Sequence, residues 1–247
     1  MDTALRFDSV SKFFTGKAAL DAVSFDTRCG ETVGLVGANG AGKTTLIRGL
    51  LDLNRIDAGS IEIFGRAHTE RGARQRVAYL AERFAPPYFA TGKELLHYVA
   101  GLHGARYVHA DACTQAEALG LDPAALERPV REYSKGMAQK LGLMSCILPG
   151  CDLLVLDEPM SGLDPRARAL FVARLEALKT AGASLFFSTH LLTDVANLCD
   201  RLVVLHEGRV CFAGAPRALI EDYGSGAAEV TPQALEAAYL NLTNPDP

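Results

Sequence analysis

Gly37-Ala38-Asn39-Gly40-Ala41-Gly42-Lys43-Thr44-Thr45 follows the apolar run 32–36 and precedes Leu46, Ile47, Leu50 and Leu51. The stretch matches Gly-x-x-x-x-Gly-Lys-[Ser/Thr], with a buried strand before it and a helix face after it. Glycines let successive backbone N–H groups curl around phosphate oxygens with no Cβ in the way. A helix that starts near Lys43 aims its positive dipole end and its unpaired N–H groups at the same anion. In such a loop Lys43 reaches the β- and γ-phosphates, and the Thr44 hydroxyl ligates Mg²⁺. The stretch predicts binding of a nucleoside triphosphate. It does not choose among kinases, GTPases, helicases and transport ATPases, all of which carry such a loop.

A chain of 247 residues accommodates one large α/β domain or two small ones. Apolar residues make up 49% and mean hydropathy is +0.10, values of a globular protein. The most apolar window, 141–156, is broken by Pro149, Gly150 and Asp152, so no membrane span is expected. Asp2, Arg6 and Asp8 do not suit a signal peptide, and a soluble cytosolic chain is expected. A net charge of −4 argues against a basic nucleic-acid-binding surface, and Arg71, Arg74 and Arg76 read as a solvated face. Cys29, Cys113, Cys146, Cys151, Cys199 and Cys211 form no C-x-x-C pair. They read as reduced, mostly buried thiols.

Short apolar or alternating runs at 5–10, 22–26, 32–36, 60–64 and 77–80 predict strands. Between 86 and 148 the character turns helical, with 3.6-period faces at 93–102, 111–119 and 135–148. Strands are expected again at 153–156 and 184–188, with a helix at 165–179 that opens on Pro165. A hairpin is expected from 201–206 and 209–213, turning at Glu207-Gly208, and a short helix at 232–242. Alternating strands and helices imply a largely parallel sheet with helices on both faces. The stretch 86–148 reads as a helical subdomain inserted in that core.

Residues 153–156 form an apolar run ending in Asp157-Glu158-Pro159. In a phosphate-loop fold the strand beside the loop carries an Asp to the metal, usually through water, and Asp157 fits. Glu158, one residue on, stands where a general base polarises the attacking water. Ser161-Gly162-Leu163-Asp164 follows at once, and Phe186-Phe187-Ser188-Thr189-His190 ends a later strand. At a strand's C-terminal end the His190 imidazole can hydrogen-bond the γ-phosphate and sense its loss.

Taken in order, these motifs resemble the nucleotide-binding subunit of an ATP-binding cassette (ABC) transporter, over essentially the whole chain. The phosphate loop comes first, then Ala78-Tyr79-Leu80-Ala81-Glu82 at the place of the Q-loop. Tyr133-Ser134-Lys135-Gly136-Met137-Ala138-Gln139 stands at the place of the signature, followed by Asp157-Glu158, the D-loop Ser161 to Asp164, and the switch His190. Phe14 resembles the aromatic that stacks on adenine.

The resemblance implies a phosphate-loop NTPase (RecA-like) core with an N-terminal antiparallel β subdomain and the inserted helical subdomain. The cassette would span 1–224, and 225–247 would be a short tail with one helix. It implies an ATPase with ATP and Mg²⁺, in which Glu158, His190 and Lys43 serve catalysis and Thr44, Glu82 and Asp157 serve the metal. ATP would be held by Phe14, by Gly37, Ala38, Asn39, Gly40, Ala41, Gly42, Lys43, Thr44 and Thr45, and by Ser134, Gly136 and Asp164. It also implies a dimer, expected to be a homodimer, in which Ser134 and Gly136 meet the γ-phosphate bound to the opposite subunit. The partner would be a separate integral membrane permease, with the subunit peripheral on the cytoplasmic face of the membrane and no nucleic acid involved.

Three departures from the family's Leu-Ser-Gly-Gly-Gln signature, at Tyr133, Lys135 and Met137, and Glu82 in place of glutamine, resemble the branch that serves two-part exporters. Arg83 to Leu102 is where a permease helix is expected to dock, although Phe84, Pro86, Pro87, Tyr88 and Phe89 suit a subdomain core equally well. A soluble ABC ATPase acting on ribosomes or DNA is the alternative. The single cassette, the acidic balance and the lack of heptads count against it.

Overall fold

Alternation of small, polar and apolar residues over 3–14 and 17–28 builds the first two strands, β1 (Thr3–Phe14) and β2 (Lys17–Arg28). They pair antiparallel through the two-residue turn Thr15-Gly16, where both φ values are positive (48° and 81°). That turn geometry matches the twist of the flanking strands. Both strands outrun the expected 5–10 and 22–26. Bulges interrupt the alternation, with Ser9 at φ 51° and Ala22 at φ 49°. Hydroxyls serve the freed amides: Ser9 N–H donates to Ser24 Oγ (2.8 Å) and Ala22 N–H to Ser11 Oγ (3.0 Å).

The computed structural model describes residues 2–224 and 229–244. The rest of the expected tail, 225–228 and 245–247, lies outside them. The described residues fall into two compact units, one running to Arg74 and resuming at Ser184, the other Gln75–Ala183.

The first unit contains an antiparallel sheet in the order β2-β1-β4-β5, with β4 (Ala58–Ile63) and β5 (Arg66–Ala67). Its second sheet takes β3 (Thr32–Val36), β8 (Ser184–Thr189), β9 (Arg201–His206) and β10 (Arg209–Gly214) in the order β10-β9-β3-β8. Strand β3 runs parallel to both neighbours. All five of its residues are buried, as a central parallel strand requires. The β9–β10 hairpin turns at Glu207-Gly208 as expected, again with positive φ at both residues. Phe7 stacks on Phe25 with centroids 4.4 Å apart, and Phe186 lies 6.1 Å from each. Helix α1 (Lys43–Leu50) follows β3, and the short α2 (Arg71–Arg74) closes the segment.

The second unit pairs β6 (Val77–Leu80) parallel with β7 (Leu153–Asp157) and carries four helices, α3 (Gly92–Leu102), α4 (His109–Ala118), α5 (Lys135–Ile147) and α6 (Pro165–Thr180). The expected insertion 86–148 lies within it. Helix α3 begins in a full capping box: Glu94 N–H donates to Thr91 Oγ1, and Thr91 N–H donates to the Glu94 carboxylate. Leu141, Leu143 and Met144 of α5, Val155 of β7 and Phe171 of α6 are fully buried.

Three helices of the first unit are absent from the sequence reading: the one-turn α2, α7 (Leu192–Leu198) and α8 (Pro216–Tyr223). Helix α7 is barely two turns long and has no side-chain cap. Helix α8 did leave a signal, Pro216 in the first turn ahead of Leu219 and Ile220. The last helix, α9 (Pro232–Thr243), stands within a residue of its expected span and is capped by the Thr231 hydroxyl. One expectation fails. Among the cysteines only Cys146 is buried, while Cys29 and Cys211 are exposed.

Candidate active site

The loop between β3 and α1 is clamped at its root and open at its crest. A Cβ on Gly37 would stand 2.4 Å from the Leu205 carbonyl oxygen and 3.0 Å from the Ala41 Cβ. One on Gly42, at φ 109°, would stand 2.6 Å from the Ala19 carbonyl oxygen. Gly40 differs, having a positive φ of 85° with open space around it. Gly208 N–H donates to the Ala41 carbonyl (3.1 Å), tying the loop to the β9–β10 turn. Only glycine tolerates these approaches, which explains the spacing of the motif in steric terms.

Gly42 is the left-handed N-cap of α1, so Lys43 is the first helical residue. Its ammonium is buried and donates to the carbonyls of Gly37 (2.7 Å) and Ala38 (3.3 Å). Ala38, Asn39 and Gly40 are exposed, Thr44 and Thr45 partly so. The donor set suits a polyphosphate: a helix N-terminus, a lysine at its first residue and an exposed glycine-rich crest. An open cavity of ≈ 790 Å³ adjoins that crest, with Lys17, Asn39, Gly40 and Arg209 in its walls. Phe14 ends β1, is 46% exposed, and has the Lys12 ammonium 5.2 Å from its ring centre.

His190 follows β8 and is exposed. Its neighbours hold the backbone on both sides. The Thr189 hydroxyl donates to the buried Asp194 carboxylate (3.0 Å) and accepts from Leu191 N–H (3.0 Å). A second cavity, ≈ 330 Å³, is lined by Gly37, Ala38 and His190 together with Glu236 and Tyr239 of α9. The first unit thus brings His190 to the flank of the phosphate loop. Sequence reasoning missed Asp194 and gave Thr189, quoted beside His190, no role of its own.

In the second unit Asp157 is the last residue of β7 and is buried, with Glu158 next and 9% exposed. Glu158 adopts φ 46°. A non-glycine residue there is strained by about 1–2 kcal/mol, and such strain gathers at functional sites. The turn after it is held from two sides: Ser161 N–H donates to the Glu158 carbonyl (3.1 Å), and the buried Gln139 amide of α5 donates to the Pro159 carbonyl (2.9 Å).

Ser134 is the exposed N-cap of α5 and accepts from Met137 N–H (3.2 Å). Tyr133 donates to the Ala125 carbonyl (2.6 Å), and burial pushes its phenol up. A Cβ on Gly136 would meet Leu163 at 3.9 Å, and one on Gly162 would press on the Lys135 ammonium at 2.6 Å, so the signature segment and the D-loop are neighbours. The Asp164 carboxylate caps α6 by accepting from Ala167 N–H (2.9 Å), which holds it below its ordinary range. Glu82 is exposed, two residues beyond β6.

A buried lysine opening the helix after a glycine-rich loop, and an apolar strand ending in Asp-Glu, define a phosphate-loop NTPase. The sequence pattern of the ABC transporter family matches residues 20–161. The chain belongs to that family, as an ATP-binding subunit. It is 40% identical over 221 residues to a Nod factor export ATP-binding protein of Burkholderia lata, covering 87% of this chain and 72% of the relative. It is 38% identical over 206 residues to an uncharacterized ABC transporter ATP-binding protein of Nostoc, covering 80% and 60%. A solved ATP-binding subunit of an ABC transporter superposes with a TM-score of 0.87 at 30% identity, over 97% of this chain and 99% of that one. A nucleotide-free ATP-binding cassette superposes with a TM-score of 0.74 at 21% identity, a likeness of fold, over 86% and 91%.

Proposed function

We propose that this chain binds and hydrolyses ATP to energise export through a separate membrane permease, working as a dimer on the cytoplasmic face of the membrane. The phosphate loop carries the reading: Gly37 and Gly42 have no room for a side chain, and its lysine is fixed at the helix N-terminus. Lys43 holds the β- and γ-phosphates, the loop N–H groups cradle them, and Phe14 supports the base. Thr44, Asp157 and Glu82 would serve Mg²⁺, which when bound would supply charge neutralisation to the phosphates. Glu158 accepts a proton from the attacking water, and His190 orients toward the γ-phosphate position. Ser134 and Gly136, at the exposed start of α5, complete the site of the partner copy.

The exporter reading is supported by the relatives named for Nod factor export. Among the described residues no helix is long and apolar enough to cross a membrane. For its docking, Tyr88 (68% exposed) and Phe89 (70%) stand edge to face and project to solvent, whereas Phe84 packs against Gly142. The stretch that suited either role is divided between them: Phe84 serves the core, and Tyr88 and Phe89 are offered to a partner.

Steady-state hydrolysis of Glu158→Gln against wild type tests the catalytic assignment. ATP binding should persist while turnover falls roughly 10²–10⁴-fold. Near-normal turnover removes Glu158 from the general-base role.

A further inference from the structure

Helix α9 sits where it can act on the phosphate loop. Leu235 and Ala238 are fully buried in a cluster with Val36, the last residue before the loop, and with Val195 and Leu202. Tyr239 packs on the same cluster and lines the ≈ 330 Å³ cavity with Gly37, Ala38 and His190. Burial pushes the Tyr239 phenol up, while the Ala38 N–H facing its oxygen works in the other direction. The carbonyl of the same residue, Ala38, accepts from the Lys43 ammonium (3.3 Å), beside the Gly37 carbonyl (2.7 Å). Tyr239 and Ala38 thus wall one cavity, and the Ala38 carbonyl in turn holds the lysine.

We propose that Tyr239 is a positioning residue for the phosphate loop, its hydroxyl accepting from Ala38 N–H so that the carbonyls of Gly37 and Ala38 hold Lys43 poised for phosphate. This rests on the ATPase reading above. The hydroxyl oxygen is the active part. The ring supplies packing to the α9 cluster, and a phenylalanine retains that packing while losing the acceptor. One neutral hydrogen bond at the loop's leading edge corresponds to about a 2- to 10-fold effect on nucleotide affinity.

The test is Tyr239→Phe in the full chain, read in two ways. Amide hydrogen exchange of nucleotide-free protein should be faster at Ala38 in the variant, with the thermal midpoint unchanged. KM for ATP should rise about 2- to 10-fold with kcat nearly unchanged. Unaltered exchange at Ala38 overturns the proposal, and so does a fall in kcat at constant KM. If the unfolding midpoint drops, Tyr239→His, which keeps an acceptor, should restore slow exchange at Ala38. Failure of that rescue also overturns it. A wild-type chain that binds no ATP sinks the ATPase reading instead, and the exchange measurement still decides whether Tyr239 tethers the loop.

Discussion

Gly37 and Gly40 are both glycines of one motif, yet the structure gives them different reasons to be glycine. Gly37 has no room for a Cβ beside the Leu205 carbonyl, while Gly40 has room but a left-handed φ. Gly40→Ala should therefore cost about 1 kcal/mol, a drop of roughly 2–4 °C in thermal midpoint for a chain of this size. Gly37→Ala forces β9 or the loop to move and should cost at least twice that, as judged by thermal unfolding. Equal drops would contradict the steric account. The motif itself was legible because its chemistry needs fixed residue types at fixed spacing. The left-handed Glu158 was not, since glutamate carries no mark of the φ 46° it is forced to adopt. Nor was the Thr189–Asp194 bond around His190, which needs the turn of α7 to bring the two side chains within 3.0 Å.

At the scale of elements, helix starts were the most readable features because capping is local. Ser134, Thr91, Asp164 and Thr231 each accept a backbone N–H at the first turn of a helix. Replacing Thr91 with alanine removes half of the α3 capping box and should cost about 1 kcal/mol in urea unfolding. The strand ends were less readable, since the bulges at Ser9 and Ala22 break the two-residue period on which pattern reading depends. Several carboxylates are engaged in such local bonds. Phe13 N–H and then Lys12 lower Asp57, Thr91 lowers Glu94, and Ala167 N–H lowers Asp164. A depressed folded-state pKa means stability that is present above the unfolded value, about 4, and lost as pH falls through the folded values. Thermal midpoints should hold steady above pH 5 and decline below pH 4. Glu94→Gln combined with Asp164→Asn should flatten that acid decline, and an unchanged acid slope would remove these bonds as its source.

For the whole molecule, the order of motifs along the chain was readable from sequence, whereas the division at Arg74, Gln75, Ala183 and Ser184 was not. Contacts set that division, and no glycine- or proline-rich linker marks it. Affinity purification from native membranes should recover a polytopic membrane protein, and Tyr88→Ser with Phe89→Ser should release it while leaving soluble ATPase activity intact. Recovery of ribosomes or DNA would favour the soluble alternative. In the proposed cycle ATP clamps two copies of this chain together across paired sites. Light scattering on size-separated Glu158→Gln, with and without ATP and Mg²⁺, tests it most directly. The expected mass is that of one chain without nucleotide and of two chains with it. One-chain mass at saturating ATP, in protein shown to have ATP bound, would contradict it.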